Sequence, residues 1–170
     1  MNAHPGGGEN SRRLIELAAL PQGASVLDMG AGAGETLALL RSLGYAARGI
    51  DLAPRGEGVE RGDLLRAPYP DGSFDAVVSE CAFFVSGDQA GALREAHRLL
   101  KAGGRLLLAD VFFAAPEPML KSAGFEVLRI EDMTAQWKEY YIEALWREET
   151  PFCKLPKGKA SYFSLVGRKV

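Results

Sequence analysis

The stretch Val26–Thr36, VLDMGAGAGET, decides the fold that we predict for this chain. An apolar run of strand length is followed at once by three glycines at alternate positions, Gly30, Gly32 and Gly34. Glycine permits backbone angles and close approaches that a Cβ would block. The stretch therefore predicts a strand, a tight turn that a ligand can approach, and a helix that begins at Glu35.

The acids around this turn limit the kind of ligand. A dinucleotide-binding turn has the spacing G-x-G-x-x-G, with a pyrophosphate on the helix N-terminus. Here the spacing is G-x-G-x-G, and the place of the third glycine is taken by Glu35. Glu35 and the nearby Asp28 would repel a pyrophosphate, but they suit a ligand with an ammonium group, hydroxyls and a positive centre. A turn that binds nothing is the alternative, although such a turn has no need of Asp28.

Strand-like and helix-like segments alternate along the rest of the chain. The predicted strands are SVLDM, AARGID, FDAVVS, RLLLAD, FEVLRI and, at the end, YFSLVGRK. Helices are predicted over 35–43, from the N-cap Asp88 to Lys101 with an end at Gly103 and Gly104, and over 134–149. This order favours an α/β domain with a mostly parallel sheet and right-handed crossovers.

Length and composition indicate one ordinary globular domain, which we predict over residues 11–170 after a Gly-rich disordered tail at 1–10. The chain has 170 residues, 47% of them hydrophobic and 25% charged, and a net charge of -2. That charge gives no basis for expecting nucleic acid or an anionic membrane as a partner. No apolar run approaches the roughly 20 residues of a membrane helix, and the start lacks the pattern of a signal peptide. We therefore expect a cytoplasmic protein, and leave open whether it forms a homo-oligomer.

Two further acids follow predicted strands or turns. Asp51 ends its strand 23 residues after Asp28, about where doubly wound folds place the acid that binds ribose hydroxyls. Asp63, with the backbone of Leu64, could present an acceptor and a donor to the edge of an adenine. Taken alone, Asp51 could be a helix N-cap or a solvated strand end, and Asp63 a turn residue.

Four motifs in order, VLDMGAGAG, GIDLA, GDLLRAPYPDGSFDAVVSE and HRLLKAGGRLLLAD, resemble the class I S-adenosylmethionine-dependent methyltransferases. The similarity is strongest to the small-molecule branch that includes quinone-biosynthesis and arsenite methyltransferases, and it covers roughly residues 22–130. It implies a Rossmann-like seven-stranded sheet of order 3-2-1-4-5-7-6 with the last strand antiparallel. It also implies S-adenosyl-L-methionine as cofactor and a small molecule as methyl acceptor.

The resemblance assigns residues to each part of the cofactor. They are Asp28 and the loop Gly30, Ala31, Gly32 and Gly34 for the methionine end, Asp51 and Leu52 for the ribose, Asp63 and Leu64 for the adenine, and Ser79 and Glu80 beneath the methionine moiety and the methyl group.

The sulfonium already activates the methyl group, so a general base is needed only if the acceptor must lose a proton. The candidates for such a base are Glu80 and Asp110, both at ends of predicted strands. Cys81 has two interpretations: a thiolate that binds a soft metalloid acceptor, as in arsenite methyltransferases, or a small packed side chain. Cys153 is the only other cysteine. Two cysteines are too few for a disulfide framework or a zinc site, and we predict no metal; a single disulfide stays open.

Other functions stay open beside methyl transfer. The chain could be a catalytically silent cofactor-binding domain in an assembly, or a nicotinamide-dependent oxidoreductase, which the glycine spacing disfavours. Any cover over the active site would have to come from the last helix with Trp137, Tyr140 and Tyr141, from Arg12 and Arg13, or from another subunit.

Overall fold

The structure is a computed structural model that describes residues 5–147 and 158–170. Seven strands form its sheet: β1 (Ser25–Met29), β2 (Ala46–Asp51), β3 (Val59–Arg61), β4 (Phe74–Glu80), β5 (Leu100–Phe112), β6 (Phe125–Asp132) and β7 (Ser161–Lys169). Five helices surround it: α1 (Gly7–Ala18), α2 (Glu35–Ser42), α3 (Gln89–Leu99), α4 (Glu117–Ser122) and α5 (Thr134–Trp146). None of these helices is long and apolar enough to cross a membrane.

The sheet has the order β3-β2-β1-β4-β5-β7-β6. All neighbours from β3 to β5 are parallel, whereas β7 runs antiparallel to both β5 and β6. The predicted order and the antiparallel last strand are thus confirmed. Because β1 lies between β2 and β4, the glycine turn after β1 is flanked by Asp51 and Glu80, which end those two strands. Open parallel sheets bind ligands at such a point.

Apolar side chains fill both faces of the sheet. Alternate residues of β1 point to opposite faces, so that Leu27 packs with α3 and α4 while Val26 packs with α1, α2 and α5. This double covering explains why the predicted parallel strands are apolar on both sides.

The first helix departs from the prediction. Residues 7–10 form the first turn of α1 and not the disordered tail that their composition predicts. The reason is tertiary, because Leu14 and Ile15 of this helix are almost completely buried against the sheet. Residues 1–4 lie outside the described part of the chain.

The third helix begins as predicted but ends earlier. Asp88 is its N-cap, and its Oδ1 accepts a hydrogen bond from the N–H of Gly91 at 2.7 Å. Leu100 already has extended backbone angles and pairs with Phe74 of β4, so β5 starts directly after the helix. The predicted end at Gly103 is therefore wrong, since that glycine lies within β5.

Candidate active site

A cavity of about 530 Å³ opens at the carboxyl ends of the parallel strands. Five residues predicted to bind the cofactor line it, namely Gly30, Asp51, Leu52, Asp63 and Leu64. Its remaining wall includes Ala53, Arg55, Gly62, Leu65, Ala82, Val85 and Ser86. The structure thus brings together residues from three separate motifs of the sequence.

Asp51, at the end of β2, has both carboxylate oxygens fixed by backbone groups. Its Oδ2 accepts from the N–H of Gly32 at 2.9 Å, and its Oδ1 accepts from the N–H of Ala53 at 2.8 Å. A carboxylate oxygen can accept more than one hydrogen bond. Each oxygen therefore keeps capacity for a further donor, and the pair suits a vicinal diol.

The three glycines of the turn are needed for different reasons. A Cβ on Gly30 would lie 2.2 Å from the Cβ of Ala82, so that position is closed by packing. Gly34 has a φ of 81° and packs against Val59. A Cβ on Gly32, where φ is 50°, would lie 3.0 Å from Nη2 of Arg55 and 4.0 Å from Oδ2 of Asp51. Gly32 therefore lies beside the Asp51 carboxylate, and its left-handed φ favours glycine.

Ala31 anchors the same turn to the neighbouring strand. Its N–H and that of Gly30 both donate to the carbonyl of Ile50 in β2, each at 2.9 Å. The turn is therefore held in place before any ligand arrives.

Asp28 is a buried acid with an unsatisfied oxygen. Its side chain is 4% exposed, and within residues 5–147 and 158–170 its Oδ2 has no hydrogen-bond partner. Burial, followed by the charges of Glu80 and Asp51, raises its pKa well above the usual range, and the Leu37 N–H partly opposes this rise. A positive group placed beside Asp28 would offset the cost of burying its charge and the repulsion from Glu80 and Asp51.

Glu80, at the end of β4, is held by two hydroxyl groups. Ser11 of α1 donates to both of its oxygens at 3.0 and 3.1 Å, and Thr36 of α2 donates to Oε2 at 2.6 Å. No pattern in the sequence points to Ser11 or Thr36 as partners of Glu80. They are 69 and 44 residues from Glu80, and neither belongs to a motif that pairs it with an acid.

Asp63, Leu64 and Leu52 form another part of the cavity wall. Oδ1 of Asp63 accepts from the N–H of Leu65 at 2.8 Å, which fixes a tight turn. Leu64 is buried, and Leu52 is 62% exposed although it is large and apolar. These side chains offer apolar walls to a flat group.

Ser79 and Asp110 do not line the cavity. The hydroxyl of Ser79 donates to the carbonyl of Met29 at 2.7 Å and is completely buried. Asp110 is also fully buried, and its oxygens accept from the N–H groups of Phe84 and Val111 at 2.9 and 2.8 Å. Burial raises the pKa of Asp110 to about 7, against the effect of these N–H donors. Both side chains stabilise the strand ends that carry the site.

Cys81 follows Glu80 and turns into the core. Its φ is 59°, its N–H donates to the carbonyl of Ala109 at 2.8 Å, and its side chain is 2% exposed. Its sulfur lies 3.2 Å from the hydroxyl of Tyr162. Cys153 lies outside the described residues. Those residues contain no group of three or more His, Cys, Asp or Glu that could hold a metal ion.

Trp137 and Tyr141, two of the residues considered for a cover, belong to the core. Trp137 and Tyr141 of α5 are 2% and 3% exposed, and the Trp137 ring stacks on Tyr162 with centroids 6.1 Å apart. Of the two arginines considered for a cover, Arg13 forms an ion pair with Glu131 at 2.6 Å.

The part of the chain that contains the four motifs is similar to known methyltransferases. Residues 27–108 match the family described as Methyltransferase domain. An arsenite methyltransferase from Aquipseudomonas alcaligenes is 34% identical over 119 residues, which cover 55% of this chain and 34% of that protein. A demethylmenaquinone methyltransferase from Thermus thermophilus is 34% identical over 115 residues, which cover 58% of this chain and 52% of that protein. The chain thus spans about half, or less, of the length of these relatives.

A solved structure has the same fold. The phosphoethanolamine N-methyltransferase 2 of Haemonchus contortus, in complex with S-adenosyl-L-methionine, superimposes with a TM-score of 0.75 at 19% identity. The match covers 98% of this chain and 53% of that one. At this identity the likeness concerns the fold alone.

Proposed function

We propose that this chain is a class I S-adenosylmethionine-dependent methyltransferase, which transfers the methyl group of that cofactor to a small-molecule acceptor. The observation that carries the proposal is Asp51. Its carboxylate is fixed by two backbone N–H groups on the wall of a 530 Å³ cavity, next to the apolar Leu52 and Leu64.

The residues present fit the cofactor. S-adenosylmethionine has a positive ammonium group and a positive sulfonium centre, and Asp28 is a buried acid with an oxygen that lacks a partner. Glu80 and Asp51 lie close enough to Asp28 for their charges to raise its pKa. This acidic environment suits a cation and disfavours the pyrophosphate of a dinucleotide.

The adenosine half has candidate partners for its ribose hydroxyls and for the edge of its adenine. Asp51 would accept from the two ribose hydroxyls. Leu52 and Leu64 would flank the adenine, and Asp63 with the N–H of Leu64 would contact its edge. Gly32 would lie beside the ribose, since a Cβ at this position would be 4.0 Å from Oδ2 of Asp51.

When bound, the cofactor supplies a methyl group that its sulfonium sulfur already activates. The chain then has to hold the donor and the acceptor in line and exclude water. In this proposal Glu80 orients the bound cofactor, because both of its oxygens already accept hydrogen bonds from the hydroxyl groups of Ser11 or Thr36. Asp110 acts through the loop that it holds at Phe84 and does not meet the acceptor.

The acceptor is a small molecule that does not bind to the thiol of Cys81. The curated relatives are named for arsenite and for demethylmenaquinone. A metalloid would require thiolates that face the site. The thiol of Cys81 packs instead in the core against Tyr162, which supports an organic acceptor.

Calorimetry with S-adenosylhomocysteine and with NAD tests the proposal. The wild type should bind S-adenosylhomocysteine, Asp51→Ala should bind it much more weakly, and NAD should give no signal. Asp71→Ala, at an exposed position outside the cavity, is the control variant. Binding of NAD instead would contradict the proposal. Cofactor binding without transfer of a labelled methyl group to any quinol, amine or metalloid would favour the silent domain.

A further inference from the structure

The loop 52–58 between β2 and β3 lies directly on the glycine turn 30–34 that follows β1. The N–H of Arg55 in this loop donates to the carbonyl of Gly32 at 2.9 Å. The N–H of Gly32 in turn donates to Oδ2 of Asp51 at 2.9 Å. Gly32 therefore links the loop to the carboxylate at the end of β2.

Gly56 makes the tightest contact between the loop and the turn. A Cβ at this position would lie 1.9 Å from the carbonyl oxygen of Ala33, 2.4 Å from its carbonyl carbon and 3.0 Å from the backbone nitrogen of Gly34. All three are backbone atoms, so no side-chain rotation can relieve the overlap. The φ of Gly56 does not lie in the left-handed region, so close packing and not backbone conformation requires glycine here.

Gly34, the third glycine of the turn, faces the same loop. A Cβ on Gly34 would lie 3.2 Å from Cγ2 of Val59, which begins β3, and 3.8 Å from the carbonyl oxygen of Glu57. Neither Gly34 nor Gly56 is among the residues that line the 530 Å³ cavity. This glycine of the motif thus serves the packing of the loop against the turn.

The position of the loop determines the orientation of Asp51. Both oxygens of its carboxylate accept from backbone N–H groups, Oδ2 from Gly32 and Oδ1 from Ala53. Ala53 belongs to the loop, and Gly32 is bonded to the loop through Arg55. The loop also supplies Leu52, Ala53 and Arg55 to the cavity wall. A displacement of the loop from the turn would therefore disturb both bonds that orient the carboxylate.

We propose that Gly56 is a positioning residue for cofactor binding, because its close contact with Ala33 holds the loop 52–58 on the glycine turn and so orients the Asp51 carboxylate towards the ribose. The inference rests on the proposed function and deepens it by adding a residue that lies outside all four sequence motifs. Gly56 acts through Asp51 and does not touch the ligand. A side chain at position 56 should therefore weaken recognition of the ribose hydroxyls and leave the rest of the cofactor site in place.

Calorimetry with two matched ligands tests this role. S-adenosylhomocysteine presents both ribose hydroxyls, whereas its 2′-deoxy analogue lacks one of them. The wild type should bind S-adenosylhomocysteine about tenfold more tightly than the analogue, the low end for a hydrogen bond to a charged group. In Gly56→Ala this preference should fall to about twofold or less, because the carboxylate is no longer held towards the hydroxyls.

Gly72→Ala is the matched control. Gly72 has a φ of 63°, so its replacement also strains the backbone, and it lies outside the cavity. Beyond its two neighbours, a Cβ there would come within 4 Å of no atom in the described part of the chain. This variant should keep the wild-type preference even if its melting temperature falls. If Gly56→Ala does not fold, Gly34→Ala tests the same contact from the other side, with its Cβ 3.2 Å from Val59.

The outcomes separate the two proposals. If the wild type binds neither ligand, the proposed function fails. If it binds both equally well, cofactor binding stands, but the ribose does not use Asp51 and the inference about Gly56 fails. If Gly56→Ala, or Gly34→Ala in its place, keeps the wild-type preference, or if Gly72→Ala loses it as well, Gly56 does not position Asp51. The same conclusion follows if adding Gly56→Ala to Asp51→Ala weakens S-adenosylhomocysteine substantially further, since both changes should act through one carboxylate.

Discussion

Replacing Asp110 with asparagine should change how the stability of this protein depends on pH. Asp110 is fully buried, and burial raises its pKa from an ordinary 3.8 to about 7. Between these two values the folded protein keeps a proton that the unfolded chain releases. The free energy of unfolding must therefore fall as the pH rises through this range. The stabilising contribution is complete below pH 3.8 and is lost once the pH exceeds about 7.

The magnitude follows from the size of the shift. A difference of roughly 3 pH units at about 1.4 kcal/mol each gives about 4 kcal/mol for this single group. Asp28 contributes in the same direction, because its pKa is also raised. Subtracting the curve of Asp110→Asn from that of the wild type removes the Asp28 contribution and leaves that of Asp110.

Urea unfolding from pH 4 to pH 8 measures both curves. The difference in unfolding free energy, wild type minus Asp110→Asn, should decrease by about 4 kcal/mol over this range. Asp71→Asn, the same chemical change at an exposed position, is the control. Curves of wild type and Asp110→Asn that stay parallel from pH 4 to pH 8 would refute the reasoning, since Asp110 would then take up no proton on folding. A carbon-13 titration of the Asp110 carboxyl group checks the same pKa directly.

Four other substitutions probe the turn, the clamp on Glu80 and the thiol. Gly30→Ala should destabilise the fold by about 1 to 3 kcal/mol in urea unfolding, because its Cβ would overlap Ala82; unchanged stability would show that the turn can open there. Gly32→Val should abolish S-adenosylhomocysteine binding in calorimetry and lower the melting temperature only modestly, so normal binding would remove this turn from the site. Thr36→Val should weaken the same ligand by about tenfold, with recovery in Thr36→Ser, because it removes a hydroxyl bond to Glu80; equal affinities in both variants would contradict the clamp. Cys81→Ala should cost on the order of 1 kcal/mol of stability and leave transfer to an organic acceptor intact; arsenite methylation by the wild type that this change abolishes would show that the thiol binds the acceptor.

Local sequence patterns predicted the elements that carry their own signal. The strand and turn around Gly32 were predictable because an apolar run is followed by alternate glycines. The start of α3 was predictable because Asp88, a residue type that caps helices, precedes a helical period. The sheet order came from the family resemblance, since periodicity does not determine which strands are neighbours. The short strand β3 was not predicted from the pattern of residues. It has only 3 residues, all at least partly exposed, so it shows no apolar alternation.

The missed features depend on contacts between distant parts of the chain. Ser11 belongs to no sequence motif, and only the packing of α1 brings it to Glu80. Asp110 looks like a strand-end acid available to a substrate, yet the loop at Phe84 covers it and takes its oxygens. Neither burial nor a partner 26 to 69 residues away can be inferred from a residue type alone.

A crystal structure of the chain with S-adenosylhomocysteine bound tests the central claim most directly. The account predicts both ribose hydroxyls within hydrogen-bond distance of the Asp51 oxygens and the adenine between Leu52 and Leu64. It also places the ammonium group beside Asp28 and the sulfur near Glu80 at the end of β4. A ligand found away from the glycine turn, or one whose ribose does not touch Asp51, would contradict the account.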